Sequence, residues 1–223
     1  MIRQSLLVKE IFHSLQGETS LSGVRFAFIR LSGCNLRCTY CDSSYSFKGG
    51  ELLQIGEILK RIENFQVQHV LITGGEPLLQ RNTLALVQAL QEKNYLVSIE
   101  THGEVSIAKV APLARIVMDI KTPSSGMARG GYVKNLEWLK ATDEIKFVIA
   151  SDQDYLWAKE IVLSKNLPCE VLFSPALPAI NAPGKFPGVS PKWLAERILE
   201  DRLPVRLQIQ LHKIVWGPDC QGV

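Results

Sequence analysis

Three cysteines, Cys34, Cys38 and Cys41, fall within eight residues in a C-x3-C-x2-C arrangement. Thiolates are ligands for zinc and for iron–sulfur clusters. A structural zinc takes four closed protein ligands, and this loop supplies three. The arrangement therefore reads as a [4Fe–4S] cluster in which one iron carries no protein thiolate and stays open to a small molecule. Two plainer readings stand beside it: a zinc ion completed by His13 or His102, or three unrelated core thiols. Cys169 and Cys220 lie far along the chain, and five cysteines cannot all pair as disulfides. In a reducing compartment such a cluster points to metal or redox chemistry.

The elements that must hold this loop are short runs rich in Val, Ile and Phe. Phe26–Leu31, His69–Thr73, Leu96–Glu100, Ile116–Ile120, Glu144–Ile149, Glu170–Phe173 and Arg206–Leu211 read as strands. Apolar residues at three- and four-residue steps predict helices over Leu52–Phe65, Arg81–Lys93, Asp154–Lys165 and Pro191–Glu200. The last opens on Ser190-Pro191, a cap followed by proline at the first helical position. Leu7–Leu15 alternates weakly and pairs with or covers the sheet edge. Strands alternating with helices make an α/β protein with a largely parallel sheet. Periodicity leaves open whether that sheet is a partial barrel or an open one.

In such folds chemistry gathers at the carboxyl ends of the strands. The runs after the predicted strands are Arg30–Cys34, Gly74-Gly75-Glu76-Pro77, Glu100–Gly103 and Lys121-Thr122-Pro123-Ser124. Ser174-Pro175-Ala176-Leu177 and His212-Lys213 complete the set. Polar and glycine-rich content thus sits on one rim, as an active site requires.

Composition sets the bounds. Of 223 residues, 46% are hydrophobic and 21% charged, which is ordinary globular usage and excludes a mostly disordered chain. The net charge of +3 is too small to argue for nucleic acid or a membrane surface as the main partner. The sequence has no apolar run long enough for a membrane span and no signal-peptide pattern at Met1–Ser5, so a cytoplasmic protein is expected. Residues 1–223 read as one domain. It includes an irregular loop at 174–191, within a stretch Pro168–Pro191 that holds six of the eleven prolines, and a short C-terminal tail.

The C-x3-C-x2-C loop with Tyr40 before its last cysteine, followed by the GGEP run, resembles the radical S-adenosylmethionine superfamily. Glu10–Glu18, Cys41-Asp42-Ser43 and Gln210-Leu211-His212-Lys213 narrow the resemblance to the 7-carboxy-7-deazaguanine synthase family, from Val8 to about Trp216. The resemblance implies an incomplete, modified TIM-type barrel, usually in a homodimer. It implies a [4Fe–4S] cluster on Cys34, Cys38 and Cys41. S-adenosylmethionine chelates the open iron and lies against Tyr40, Cys41, Asp42, Gly74, Gly75 and Glu76. Lys121, Thr122, Pro123 and Ser124, with Ser174, Pro175, Ala176 and Leu177, are the implied nucleoside contacts.

The implied reaction is a ring contraction of 6-carboxy-5,6,7,8-tetrahydropterin to 7-carboxy-7-deazaguanine with loss of ammonia. It belongs to queuosine and deazapurine biosynthesis, and the implied electron donor is a flavodoxin or ferredoxin. Leu15, Gln16, Gly17, Glu18, Arg30, Thr73 and His212 are the implied substrate-binding residues. Glu18 with Gln16 suits the N–H edge of a pterin, and Arg30 its carboxylate. Glu100 bonds a ribose hydroxyl or approaches the reacting carbon. Mg²⁺ takes oxygen ligands, and Ser43 stands where the family carries threonine, keeping the hydroxyl without the methyl. The chain continues through Trp216–Val223 beyond the Gln-Leu-His-Lys motif, where some members end.

Overall fold

The computed structural model describes residues 4–177, 188–217 and 220–222. The middle of the proline-rich loop predicted at 174–191 lies outside them, as do residues 218, 219 and 223 of the tail. Among the described residues nine strands form one sheet. In chain order they are β1 (Ser5–Leu15), β2 (Arg25–Leu31), β3 (Glu51–Gln54), β4 (His69–Gly74), β5 (Leu96–Thr101), β6 (Arg115–Ile120), β7 (Glu144–Ile149), β8 (Glu170–Pro175) and β9 (Arg206–Leu207). The helices are α1 (Ile55–Glu63), α2 (Thr83–Glu92), α3 (Asp152–Ser164), α4 (Pro191–Glu200) and α5 (Leu211–Val215). Spatial order is β3-β1-β2-β4-β5-β6-β7-β8-β9, parallel from β2 onward, with β1 antiparallel to both its neighbours. The sheet does not close on itself, so the architecture is a single-domain α/β partial barrel. Among the described residues no helix is long and apolar enough to cross a membrane.

Period-two alternation divides the strands between two faces. Ala27, Ile29 and Leu31 of β2, Val70 and Ile72 of β4, Ile99 of β5, Met118 and Ile120 of β6, Ile145 and Phe147 of β7 and Phe173 of β8 join the helices in one buried core. Ile55, Ile58 and Ile62 are the buried positions that α1 adds. α4 starts where the sequence places it: Ser190 Oγ accepts from Trp193 N at 3.1 Å and caps it. The positions out of phase with this core carry Phe28, Arg30, Thr73, Glu100, Asp119 and Lys146, and they line a cavity instead.

Two expectations are corrected. Residues 51–54 are strand, not the start of a helix: Leu53 is buried and Leu52 is 66% exposed, a two-residue period, and the segment pairs with Ser5–Val8. The helix begins at Ile55, where Gln54 N donates to Glu57 Oε2 at 2.7 Å. The predicted strand Arg206–Leu211 shrinks to Arg206–Leu207. Gln208 N still reaches Phe173 O at 2.9 Å, but Leu211 N donates to Gly17 O at 2.8 Å, so the chain leaves the sheet for the β1–β2 turn.

Candidate active site

A cavity of about 640 Å³ opens at the carboxyl ends of the parallel strands. Cys34, Cys38 and Cys41 all line it. Their loop is pinned at both ends. Gly33 N donates to Ser46 O at 2.9 Å and Gly33 O accepts from Glu76 N at 2.8 Å. At the other end Thr39 N reaches Ser125 O at 3.1 Å, Thr39 Oγ1 reaches Ser124 O at 2.7 Å, and the Tyr40 hydroxyl lies 3.0 Å from Thr122 Oγ1. A Cβ on Gly75 would lie 2.7 Å from Cys34 Cβ and closer still to Gly33 O, so the β4 rim meets the cysteine loop backbone to backbone.

The donor set suits a [4Fe–4S] cluster. Three free thiols share one loop and one cavity. Leu36 N points at Cys34 Sγ from 3.4 Å, a contact of the kind that tunes cluster sulfurs. Burial pushes the unligated Cys38 thiol up to about 11 and raises Cys41 as well, so metal loading must release protons. Among the described residues no three His, Cys, Asp or Glu side chains converge on a single ion, as zinc would need. Cysteines that each bind a different iron need no such convergence. His102 is also spent elsewhere. Its Nδ1 accepts from Glu104 N at 3.0 Å, which leaves the proton on Nε2, 2.9 Å from Asn35 Oδ1. His13 stacks on Phe65.

Glu76 does not line the cavity. It is fully buried, and its oxygens accept from Leu78 N at 3.0 Å and from Thr101 Oγ1 and His102 N at 2.9 Å. The carboxylate ties the β4 turn to the end of β5, and Gly74 and Gly75 form the rim. Of Lys121–Ser124 only Lys121 lines the cavity. Thr122 Oγ1 donates to Val148 O, Pro123 opens a short 3-10 turn, and Ser124 faces Ser151 and Asp154. Ser174 and Pro175 belong to β8, whereas Ala176 and Leu177 reach the cavity.

The same cavity is lined by Leu15, Gln16, Gly17, Glu18, Arg30, Thr73, Glu100 and His212, and by Tyr40, Asp42 and Ser43. His212 packs on Gly17, where an added Cβ would sit 2.9 Å from His212 Cγ. Arg30 Nε donates to Glu10 Oε1 at 2.6 Å, and Tyr45 donates to the same oxygen at 2.7 Å. The guanidinium lies over the Phe12 and Tyr45 rings.

Lys146, Asp119, Gln210, Lys213 and Tyr45 also line the site, and none was among the expected site residues. Lys146 Nζ, 3% exposed as a residue, meets Glu18 Oε2 and Glu100 Oε1 at 2.5 Å each and Asp119 Oδ2 at 3.1 Å. Burial works against its charge, but Asp119, Glu100 and Glu18 hold the ammonium well above its usual range. Burial would likewise raise Glu18, yet Lys146, His212 and Gln210 bring it below the ordinary carboxylate range. Gln210 Nε2 donates to Glu18 Oε1 at 2.7 Å, and Lys213 lies 3.3 Å from Asp42. A polar residue in phase with Arg30, Thr73 and Glu100 inside an apolar strand was the available signal for Asp119 and Lys146.

The profile of the radical S-adenosylmethionine superfamily matches residues 28–146. The chain is 40% identical over 223 residues to the 7-carboxy-7-deazaguanine synthase of Chlorobaculum tepidum, covering 98% of this chain and 97% of that one. It is 41% identical to the enzyme of the same name from Koribacter versatilis, covering 97% and 99%. Its fold is similar to the crystal structure of QueE from Escherichia coli, with a TM-score of 0.72, 21% identity, and coverage of 93% and 95%.

Proposed function

The chain belongs to the 7-carboxy-7-deazaguanine synthase family of radical S-adenosylmethionine lyases, and from that membership we propose how its cavity carries out the reaction. The reaction is the contraction of 6-carboxy-5,6,7,8-tetrahydropterin to 7-carboxy-7-deazaguanine with release of ammonia, a step of queuosine and deazapurine biosynthesis. The observation that carries this reading is that the cysteine loop and the Gln16–Glu18 turn, 16 positions apart between Glu18 and Cys34, face one cavity.

Cys34, Cys38 and Cys41 hold the [4Fe–4S] cluster, and the bare rim of Gly74 and Gly75 admits the methionine end of S-adenosylmethionine. Bound together, these groups supply one-electron reduction and carbon-radical chemistry. Tyr40, Asp42, Lys121, Ala176 and Leu177 border the nucleoside. Glu76 contributes through the rim it fixes. Thr122, Pro123, Ser124, Ser174 and Pro175 support the walls from behind.

Glu18, kept ionised, accepts from the N–H edge of the pterin, with Gln16, Leu15 and Gly17 beside it and His212 closing that end. Arg30 faces the substrate carboxylate, its Nε already held by Glu10, so that its terminal nitrogens are the ones on offer. Thr73 orients Glu100 through a 3.2 Å hydrogen bond. Mg²⁺ would take the Ser43 hydroxyl and complete its shell with water and substrate oxygens. A flavodoxin or ferredoxin donor, a homodimer and a cytoplasmic setting complete the reading, with residues 1–223 acting as one domain.

The test is an anaerobic assay of the iron–sulfur-reconstituted protein with S-adenosylmethionine, Mg²⁺, reductant and the carboxytetrahydropterin, read by mass spectrometry. The expected result is 7-carboxy-7-deazaguanine without stoichiometric 5′-deoxyadenosine. Cofactor cleavage with no deazapurine would reject the substrate and leave the superfamily chemistry standing.

A further inference from the structure

An ammonium has three N–H donors and no acceptor. Lys146 Nζ meets three carboxylates, one from each of three elements: Glu18 in the β1–β2 turn, Glu100 ending β5 and Asp119 in β6. The register sets Lys146 beside Asp119 across the β6–β7 pair. No donor of Lys146 is left for a ligand, so its influence on a bound molecule must pass through its partners. Those partners keep capacity to spare. Each ionised carboxylate has about four acceptor sites, and Glu18 and Glu100 spend their other oxygens on one neutral donor each, Gln210 and Thr73. Their side chains are 14% and 28% exposed toward the cavity.

We propose that Lys146 is the positioning residue of the substrate site. It holds Glu18 and Glu100 at fixed separation and keeps both available as acceptors for the N–H groups of the substrate. This rests on the pterin reading given above. The groups facing the lysine and its partners are Glu18, Glu100, Asp119, Asp42, Lys121 and His212. Without Lys146, Lys121 remains paired with Asp119 at 3.0 Å. Glu18 and Glu100 are then left facing each other without the ammonium between them, and Glu18 loses the cation that most holds its carboxyl down.

The experiment compares wild type with Lys146→Met and Lys146→Arg, each reconstituted with its cluster. The expected result for Lys146→Met is a KM for 6-carboxytetrahydropterin raised at least thirtyfold, with a smaller fall in kcat. The deficit in kcat/KM should narrow as pH rises from 6.5 to 9, because Glu18 recovers its charge. Calorimetric binding of the pterin should weaken in parallel, while iron content stays at the wild-type level. Lys146→Arg, which keeps charge and donors, should restore the wild-type pH profile. Lys146→Gln takes the place of the methionine variant if that chain does not fold. A charge-free variant with wild-type KM and a parallel pH profile overturns the proposal while leaving the substrate reading intact. Wild-type protein that neither binds nor turns over the pterin overturns that reading, and this proposal with it.

Discussion

Gly75→Ala isolates the contact on which the cluster site depends. Gly75 is not among the residues held at positive φ, so alanine brings no backbone strain of its own. The whole effect is steric. The added methyl would lie 2.7 Å from both Cys34 Cβ and the Gly33 carbonyl carbon. An ordinary carbon–carbon contact is about 3.5–4.0 Å, so the start of the cysteine loop must retreat by roughly 1 Å. Retreat stretches the 2.8 Å bond from Glu76 N to Gly33 O. Overpacking of this kind costs about 1–3 kcal/mol, and the weakened bond about 1 kcal/mol more. A total near 2–4 kcal/mol leaves most domains folded.

The far end of the loop cannot follow, because Thr39 and Tyr40 are tied to residues 122–125. Cys34 therefore moves relative to Cys38 and Cys41, whereas metal–ligand distances tolerate only about 0.2 Å. The assay is iron and sulfide content per chain after anaerobic reconstitution, with a melt of the unloaded protein. The expected outcome is iron below half the wild-type value and a Tm lower by about 4–16 °C, at ~2–4 °C per kcal/mol for this size. Gly17→Ala serves as the contrast. Its methyl meets the His212 ring, so it should spare the cluster and weaken pterin binding. Wild-type iron content in a well-folded Gly75→Ala chain would refute the reasoning.

Three further outcomes follow from the same geometry. Glu18→Gln removes a charge-assisted acceptor worth about 1.5–3 kcal/mol, so titration with the pterin should give a Kd raised roughly ten- to hundredfold at unchanged iron content. Cys169→Ser and Cys220→Ser should reconstitute with wild-type iron, whereas serine at position 34, 38 or 41 should not, as cluster absorbance will report. Burial, with Lys121 nearby, lowers His102 from 6.5 to about 4, so folding requires it neutral. Its contribution is full above about pH 6.5 and is lost as pH falls toward 4, by roughly 3 kcal/mol for such a shift. Buried Glu76, pushed up, opposes that trend. Melts of wild type and His102→Gln across pH 7 to 4.5 should therefore differ in slope, the wild type losing Tm faster.

The cysteine loop, the glycine rim and the Gln16–Glu18 turn were legible because local spacing alone marks them. The strands were legible from apolar runs, apart from β3, whose two adjacent leucines fit a helix as well as an edge strand, and the end of β9, where the chain leaves the sheet after Leu207. The sequence does not reveal that the Glu76 carboxylate, beside two glycines, turns to three backbone and hydroxyl donors brought in by tertiary folding. The side chains of Thr122, Ser124 and Ser174 likewise do not line the cavity, since sequence gives the rim but not which way a side chain turns. Lys146 stayed hidden because its partners lie 128, 46 and 27 positions away. Only the strand register brings them together.

The order in which the two halves of the cavity become complete follows from where their supports lie along the chain. Among the described residues, the backbone and side-chain supports of Cys34–Cys41 include Gly33, Ser46, Glu76, His102, Thr122, Ser124, Ser125 and Val148. Glu18 and Gly17 wait for Gln210, Leu211 and His212. At about 5–20 residues synthesised per second, the roughly 60 residues between these supports separate the two events by several seconds. During translation, these supports of the cluster loop are in place while the pocket for the pterin still lacks its last wall.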